Sequence, residues 1–157
     1  MIKVMVMSKL LAEHIFVFDD DTLVISITSP GSEQAEIKGD HIYKFQFHDV
    51  REDLMLDSGI MNAMTDEMAE AIVEVMVNNR HLKKWVIHCE AGVSRSPAIA
   101  IGAARYLDVT PGMVKLIEMF PCYNTHVVKS IHKALRKKLN EIEAEIDRQC
   151  GCYGEDW

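Results

Sequence analysis

Residues 86–104 read VIHCEAGVSRSPAIAIGAA. The segment WVIH (85–88) is a short apolar strand that ends on a cysteine, Cys89. Five residues separate that cysteine from Arg95, and Ser96 and Pro97 follow. From residue 96 to 107 the chain is alanine-rich and apolar nearly all round, as a buried helix is. Pro97 suits a first helical turn, where its missing N–H costs nothing. The order strand, tight loop, helix belongs to α/β proteins, in which ligands sit beyond the carboxyl ends of strands.

The residue types in this loop suit one chemistry. A helix N-terminus with converging backbone N–H groups is an anion site. Arg95 adds a planar fork that matches two oxygens of a phosphate. Gly92 supplies the positive φ or the close backbone approach that a tight nest of amides requires. Thiols beside a helix N-terminus and a guanidinium ionise readily, and a thiolate below a bound phosphoryl group is a nucleophile. The Ser96 hydroxyl is placed to donate to that sulfur. The competing reading is an inert buried cysteine beside a surface arginine.

Working outward, strands and helices alternate. Residues 2–6, TLVISIT (22–28) and HIYKFQF (41–47) read as strands. Ser8 caps a short helix to about Ile15, and Thr65 opens a helix with Asp66 and Glu67 in its first turn. Thr110-Pro111 starts a shorter helix, and a long one runs from about Thr125 with Val128, Ile131, Leu135, Leu139, Ile142 and Ile146 on one face. The stretch HDVREDLMLDSGIMNAM is a long acidic connection, and such loops are usually functional. The pattern predicts an α/β fold with a central, mostly parallel sheet flanked by helices. Residues 1–149 form one domain and 150–157 a flexible tail. The N-terminal segment is expected at a sheet edge.

Composition narrows the partners. The chain has 157 residues, 48% hydrophobic and 26% charged, with a formal charge of −7. That charge argues against nucleic acid and against an anionic membrane surface. No apolar run reaches membrane-span length, and no secretory signal is visible. The four cysteines, Cys89, Cys122, Cys150 and Cys152, have neither zinc-site nor disulfide-framework spacing. The expectation is a reduced, cytoplasmic protein with free thiols. Lys129, Lys133, Arg136, Lys137 and Lys138 are read as a solvated helix face, with an anion-binding patch as the alternative.

HCEAGVSRS resembles the HC-x5-R-[ST] signature of the cysteine-based protein tyrosine phosphatases. Within that superfamily it is most similar to the small dual-specificity branch, whose members often read HC-x-A-G-x-S-R-S. The resemblance implies a dual-specificity-phosphatase-like fold and a two-step reaction. Cys89 would attack phosphorus, while Arg95 and the amides of Glu90, Ala91, Gly92, Val93, Ser94 and Arg95 hold the oxygens. His88 would orient the loop. A carboxylic acid would protonate the leaving oxygen and then activate water. No metal or other cofactor is implied.

Relatives often write the acid as Phe, one residue, Asp after a strand. Phe47-His48-Asp49 matches, so Asp49 is preferred, with Asp53, Asp57 and His48 as alternatives. Asn124 stands where small relatives often carry an asparagine, either to position water or a loop or to cap the last helix. The implied substrate is a phosphorylated protein or peptide, phosphotyrosine first, with phosphoserine and phosphothreonine open. Glu90 and Val93 are not basic, which disfavours phosphoinositides. Two other readings stand beside this one. The first is a phospho-binding module without turnover. The second is a phosphatase acting on a nucleotide, an RNA 5′ end or an inositol phosphate.

Overall fold

The computed structural model describes residues 1–51 and 62–151. Four strands, β1 (Lys3–Ser8), β2 (Thr22–Thr28), β3 (His41–Gln46) and β4 (Lys84–Cys89), form one sheet in the order β1-β4-β2-β3. Every pairing is parallel, where the sequence suggested only a mostly parallel sheet. The helices are α1 (Lys9–Ile15), α2 (Asp66–Asn78), α3 (Arg95–Tyr106), α4 (Thr110–Met119) and α5 (Thr125–Gly151). Cys150 therefore lies in the last turn of α5. Among the described residues, no helix is long and apolar enough to cross a membrane.

The two central strands explain the layering. All seven residues of β2 are buried, and five of the six in β4, as parallel strands covered on both faces require. Alternate side chains point to opposite faces. Leu23, Ile25, Ile27, Trp85, Ile87 and Cys89 pack with α2, α3 and α5 in the main core. Val24 and Val86 face the other way, into a smaller cluster with Ala12, Phe18 and Ile37. β1 is an edge strand, as expected.

Local signals place the helices. Ser8 Oγ accepts from Leu11 N at 3.2 Å to cap α1, and Thr65 Oγ1 accepts from Met68 N at 3.2 Å to cap α2. The buried helix is α3, with ten of its twelve residues out of solvent. The basic face of α5 is largely solvated, as expected, and is also paired. Lys133, Lys137 and Lys138 pair with Asp66, Glu70 and Glu74 of α2, each at 2.8 Å. These exposed pairs are worth little singly, and they flank the apolar contact between α2 and α5.

Because all strands run one way, their carboxyl ends share one edge. Ser8 is in register with Cys89, Ser26 with His88, and Thr28 with Gln46. Chain segments far apart in sequence are thereby delivered to one place.

Candidate active site

Cys89 ends β4 and is 2% exposed. Its Sγ accepts the Gly92 N–H at 3.2 Å and lies 3.1 Å from Ser96 Oγ. The loop between them has its carbonyls turned outward. Glu90 O accepts from Lys9 N at 3.2 Å, and Ser94 O accepts from Asn124 N at 3.0 Å and Ala98 N at 3.3 Å. Its Gly92 N–H points inward, at sulfur. Gly92 has φ +74°, and a Cβ there would sit 2.8 Å from the backbone of Met7 and Ser8. Both demands anticipated for this glycine, positive φ and close approach, are present.

Arg95 is 5% exposed. Its Nη1 donates to Phe47 O at 2.8 Å and to Ser29 Oγ at 3.0 Å. Both acceptors are neutral, and among the described residues no carboxylate pairs with this guanidinium. A buried cation without a counter-charge is costly, and an oxyanion beside it would relieve that cost. Phe47 has a second role. Its fully buried ring anchors the end of β3 in the main core, so that the next residues turn back over the loop.

His88 is fully buried on the opposite sheet face. Its Nδ1 lies 3.3 Å from Cys89 O and its Nε2 lies 2.6 Å from Ser26 Oγ. A carbonyl only accepts, so Nδ1 carries the proton and Nε2 accepts from the serine hydroxyl. Burial holds this imidazole below the usual histidine range, in keeping with a neutral ring. His88 thus ties the loop's first carbonyl to β2.

Asp49 is exposed, but its Oδ1 is held. Ser94 Oγ and Asn124 Nδ2 each donate to it at 2.7 Å. The Ser94 link has a local consequence. Ser94 is the N-cap residue of α3, yet its side chain makes no capping bond, because the hydroxyl is spent on Asp49. Asn124, 0% exposed, combines both roles suggested for it. Its Oδ1 caps α5 by accepting from Val127 N at 3.1 Å, and its Nδ2 also reaches Val50 O at 3.2 Å.

His48 is turned elsewhere. Its Nδ1 accepts the Asn62 N–H at 2.8 Å, while its own N–H donates to Asn62 O at 2.7 Å. These two bonds tie residue 48 to residue 62. Asp53 and Asp57 lie outside the described residues.

The rim is shaped by residues that no motif announces. Gln46 Nε2 donates to Thr28 Oγ1 at 3.1 Å and to Ser29 O and Ser32 O at 3.3 Å, which folds residues 28–32 beside Arg95. Ser32 Oγ reaches Glu90 Oε1 at 3.3 Å. Val93 is 49% exposed at the mouth of the loop, and Ala91 is also exposed. Cys122 and Cys150 are exposed free thiols.

No protein-family model and no curated protein matches the chain. Among solved structures it is similar to the OH1 tyrosine phosphatase from the Orf virus, described as having distinct structural features and triple substrate specificity. The identity is 17%, the match covers 88% of this chain and 83% of that one, and the TM-score is 0.42. A likeness that distant carries nothing about function, which has to rest on the residues of the site.

Proposed function

We propose that this protein is a cysteine-dependent phosphoric monoester hydrolase that removes phosphate from phosphotyrosine in proteins or peptides. The observation that carries this reading is a pair. Arg95 is a buried cation whose partners among the described residues are neutral, and it belongs to the same loop as a buried thiol contacted by a backbone N–H and a hydroxyl. An incoming phosphate supplies the missing negative charge and meets sulfur from the loop side.

In the first step the Cys89 Sγ–P bond forms as the bond from phosphorus to the ester oxygen breaks. Arg95 and the loop amides hold the equatorial oxygens as charge spreads over them. Asp49 gives its proton to the departing oxygen. The two hydrogen bonds to Oδ1 leave Oδ2 to carry that proton. In the second step the Asp49 carboxylate takes a proton from water, the water oxygen attacks phosphorus, and the S–P bond breaks. Ser96 donates its hydroxyl hydrogen bond to the departing sulfur, and inorganic phosphate leaves.

The rim supports an aryl ester. The exposed Val93 and Ala91 offer apolar contact to an aromatic ring. Glu90 disfavours polyanionic lipids and nucleic-acid ends, which seek basic surroundings.

The test is hydrolysis of p-nitrophenyl phosphate against pH in the presence of EDTA, for the native protein, Cys89→Ser and Asp49→Asn. Turnover that survives chelation and vanishes with Cys89→Ser supports the reading. A folded native protein that binds vanadate without turnover overturns it in favour of phosphate recognition alone. A panel of phosphopeptides, nucleotides and inositol phosphates then separates the substrate classes.

A further inference from the structure

α5 outruns the domain it covers. Its first half is buried through Val127, Ser130, Ile131, Ala134 and Leu135, whereas every residue from Leu139 to Cys150 is exposed. That exposed half keeps an apolar stripe. Leu139 is 48% exposed, Ile142 37% and Ile146 52%. With Leu135 they are spaced four, three and four residues apart, the seam spacing of paired helices.

Charge divides the same helix. Residues 136–138 are Arg-Lys-Lys, while Glu141, Glu143, Glu145 and Asp147 follow. Lys137 and Lys138 are engaged by α2. Arg136 lines a groove of about 250 Å³ between α5 and the end of α3, where Arg105, Tyr106, His132, Leu139 and the acidic Glu143 join it. Among the described residues no carboxylate forms an ion pair with Arg105 or Arg136. His132 Nδ1 is 3.2 Å from Arg105 Nη1, and its buried Nε2 has no partner among the described residues. Burial and these two guanidiniums hold His132 below the usual histidine range. With two arginines against one glutamate the groove is net basic and partly apolar, and the free end of the same helix is acidic and apolar.

We propose that the exposed half of α5 is a self-association surface, on which two copies of the chain pair their α5 helices antiparallel. The acidic end of each would lie against the basic groove of the other. A two-fold axis passing between Leu139 and Ile142 brings Leu139 of one copy against Ile142 of the second, an isologous contact. The same axis sets Arg136 against Glu143 on the flank of the seam, twice per dimer. Parallel pairing would instead place basic turn beside basic turn. The seam offers only three exposed apolar side chains per copy, Leu139, Ile142 and Ile146, fewer than the interfaces of roughly 1,200–2,000 Å² in stable complexes hold. The dimer is therefore weak and reversible.

The experiment is sedimentation equilibrium of the full chain from about 10 μM to about 1 mM, a range suited to a small interface. It is run under reducing conditions because Cys122 and Cys150 are exposed. The expected result is a monomer–dimer equilibrium that weakens with salt. Ile142→Asp, and separately Ile146→Asp, should remove the dimer while far-UV circular dichroism stays native, since both side chains are exposed. Glu143→Arg should weaken association about three- to tenfold, and adding Arg136→Glu to it should restore the native strength. A chain that stays monomeric throughout overturns the proposal. So does a dimer that survives both aspartate variants, which places the contact elsewhere, for example on the β1 edge. Failure of the charge swap to rescue overturns the antiparallel pairing.

Discussion

The loop that holds Cys89 and the segment that holds Asp49 meet in one site but are built in opposite ways. The first runs over five consecutive residues, 90–94, between a buried strand that ends on Cys89 and a buried helix that begins at Arg95. Several of its backbone groups are held by other backbone or by the sulfur, as with Gly92 N to Cys89 Sγ, Lys9 N to Glu90 O and Asn124 N to Ser94 O. The second is anchored by one buried ring, Phe47, and positioned by side chains from elsewhere, Ser94 from the loop and Asn124 from the start of α5. Arg51 adds a further tie, donating to Cys122 O at 3.1 Å. One unit is preorganised by its own backbone; the other depends on contacts that single substitutions can cut. The two should therefore fail differently.

The largest effects belong to the loop. Cys89→Ser should bring phosphatase turnover to background while the protein still binds vanadate, because the cradle of amides is untouched. Arg95→Ala should lower kcat/KM by about 10²–10⁴-fold, the range for losing a preorganised donor to developing charge. It should also raise thermal stability, because it vacates a buried cation with no carboxylate partner among the described residues at the cost of two neutral hydrogen bonds, to Phe47 O and Ser29 Oγ. A kinetic assay alongside differential scanning calorimetry reads both. Asp49→Asn should cost about 10²–10³-fold with alkyl or phenyl phosphates and much less with p-nitrophenyl phosphate, whose leaving group needs little protonation. An equal loss on both substrates would remove Asp49 from the acid role.

The same contrast explains what could be read from the chain alone. The nucleophile loop is contiguous, so its residue types and spacing carried the anion site, and Gly92 could be assigned both its φ and its close approach. The order of elements was legible because β2, β4 and α3 are buried and show it in their apolar patterns. Asp49 required the resemblance, since one acid among several in a loop has no periodicity to mark it. Ser94, Gln46, Ser29 and Ser26 were missed as supporting groups. Each works by a hydrogen bond to a residue at least seventeen positions away, and such pairings leave no local signal. The ion pairs between α5 and α2 were missed for the same reason. Single-helix reading sees the lysines but not the facing carboxylates.

Gly92→Ala comes next in size. A methyl group would press on the Met7 and Ser8 backbone at 2.8 Å in a left-handed conformation, and backbone cannot swing aside as a side chain can. A destabilisation of about 2–4 kcal/mol is expected from strain plus displacement, measured by urea unfolding. Smaller effects belong to the acid segment. Ser94→Ala and Asn124→Ala each remove one of two donors to Asp49 Oδ1. Each should lower kcat by roughly ten- to hundredfold, the worth of a hydrogen bond to a charged group at about 1.5–3 kcal/mol. KM should change little, because neither side chain is expected to touch phosphate and Ser94→Ala keeps the backbone amide. Asn124→Ala also uncaps α5 and should cost about 1 kcal/mol of stability, whereas Ser94→Ala should cost less, since its hydroxyl caps nothing. Equal stability losses in the two variants would break that distinction.

The smallest effect tests how the loop is held from beneath. Burial keeps the His88 ring below its ordinary value of 6.5, while an unfolded chain titrates it normally. As pH falls below about 6.5, the unfolded state takes up a proton that the folded ring refuses. Stability is therefore fully present above that pH and is lost on acidification, at no more than about 1.4 kcal/mol per pH unit for one group. His132 is shifted the same way, so the decisive measurement compares urea-unfolding free energies from pH 5 to pH 8 in His132→Gln and in His132→Gln with His88→Asn. The single variant should keep a positive slope between pH 5 and 6.5, and the double variant should lose much of it. It should also be less stable at pH 8, because the bridge from Ser26 to the Cys89 carbonyl is gone. A slope unchanged by removing His88 would mean that the ring accepts its proton inside the fold. The loop would then rest on a hydrogen-bond arrangement other than the neutral one that joins β2 to the nucleophile.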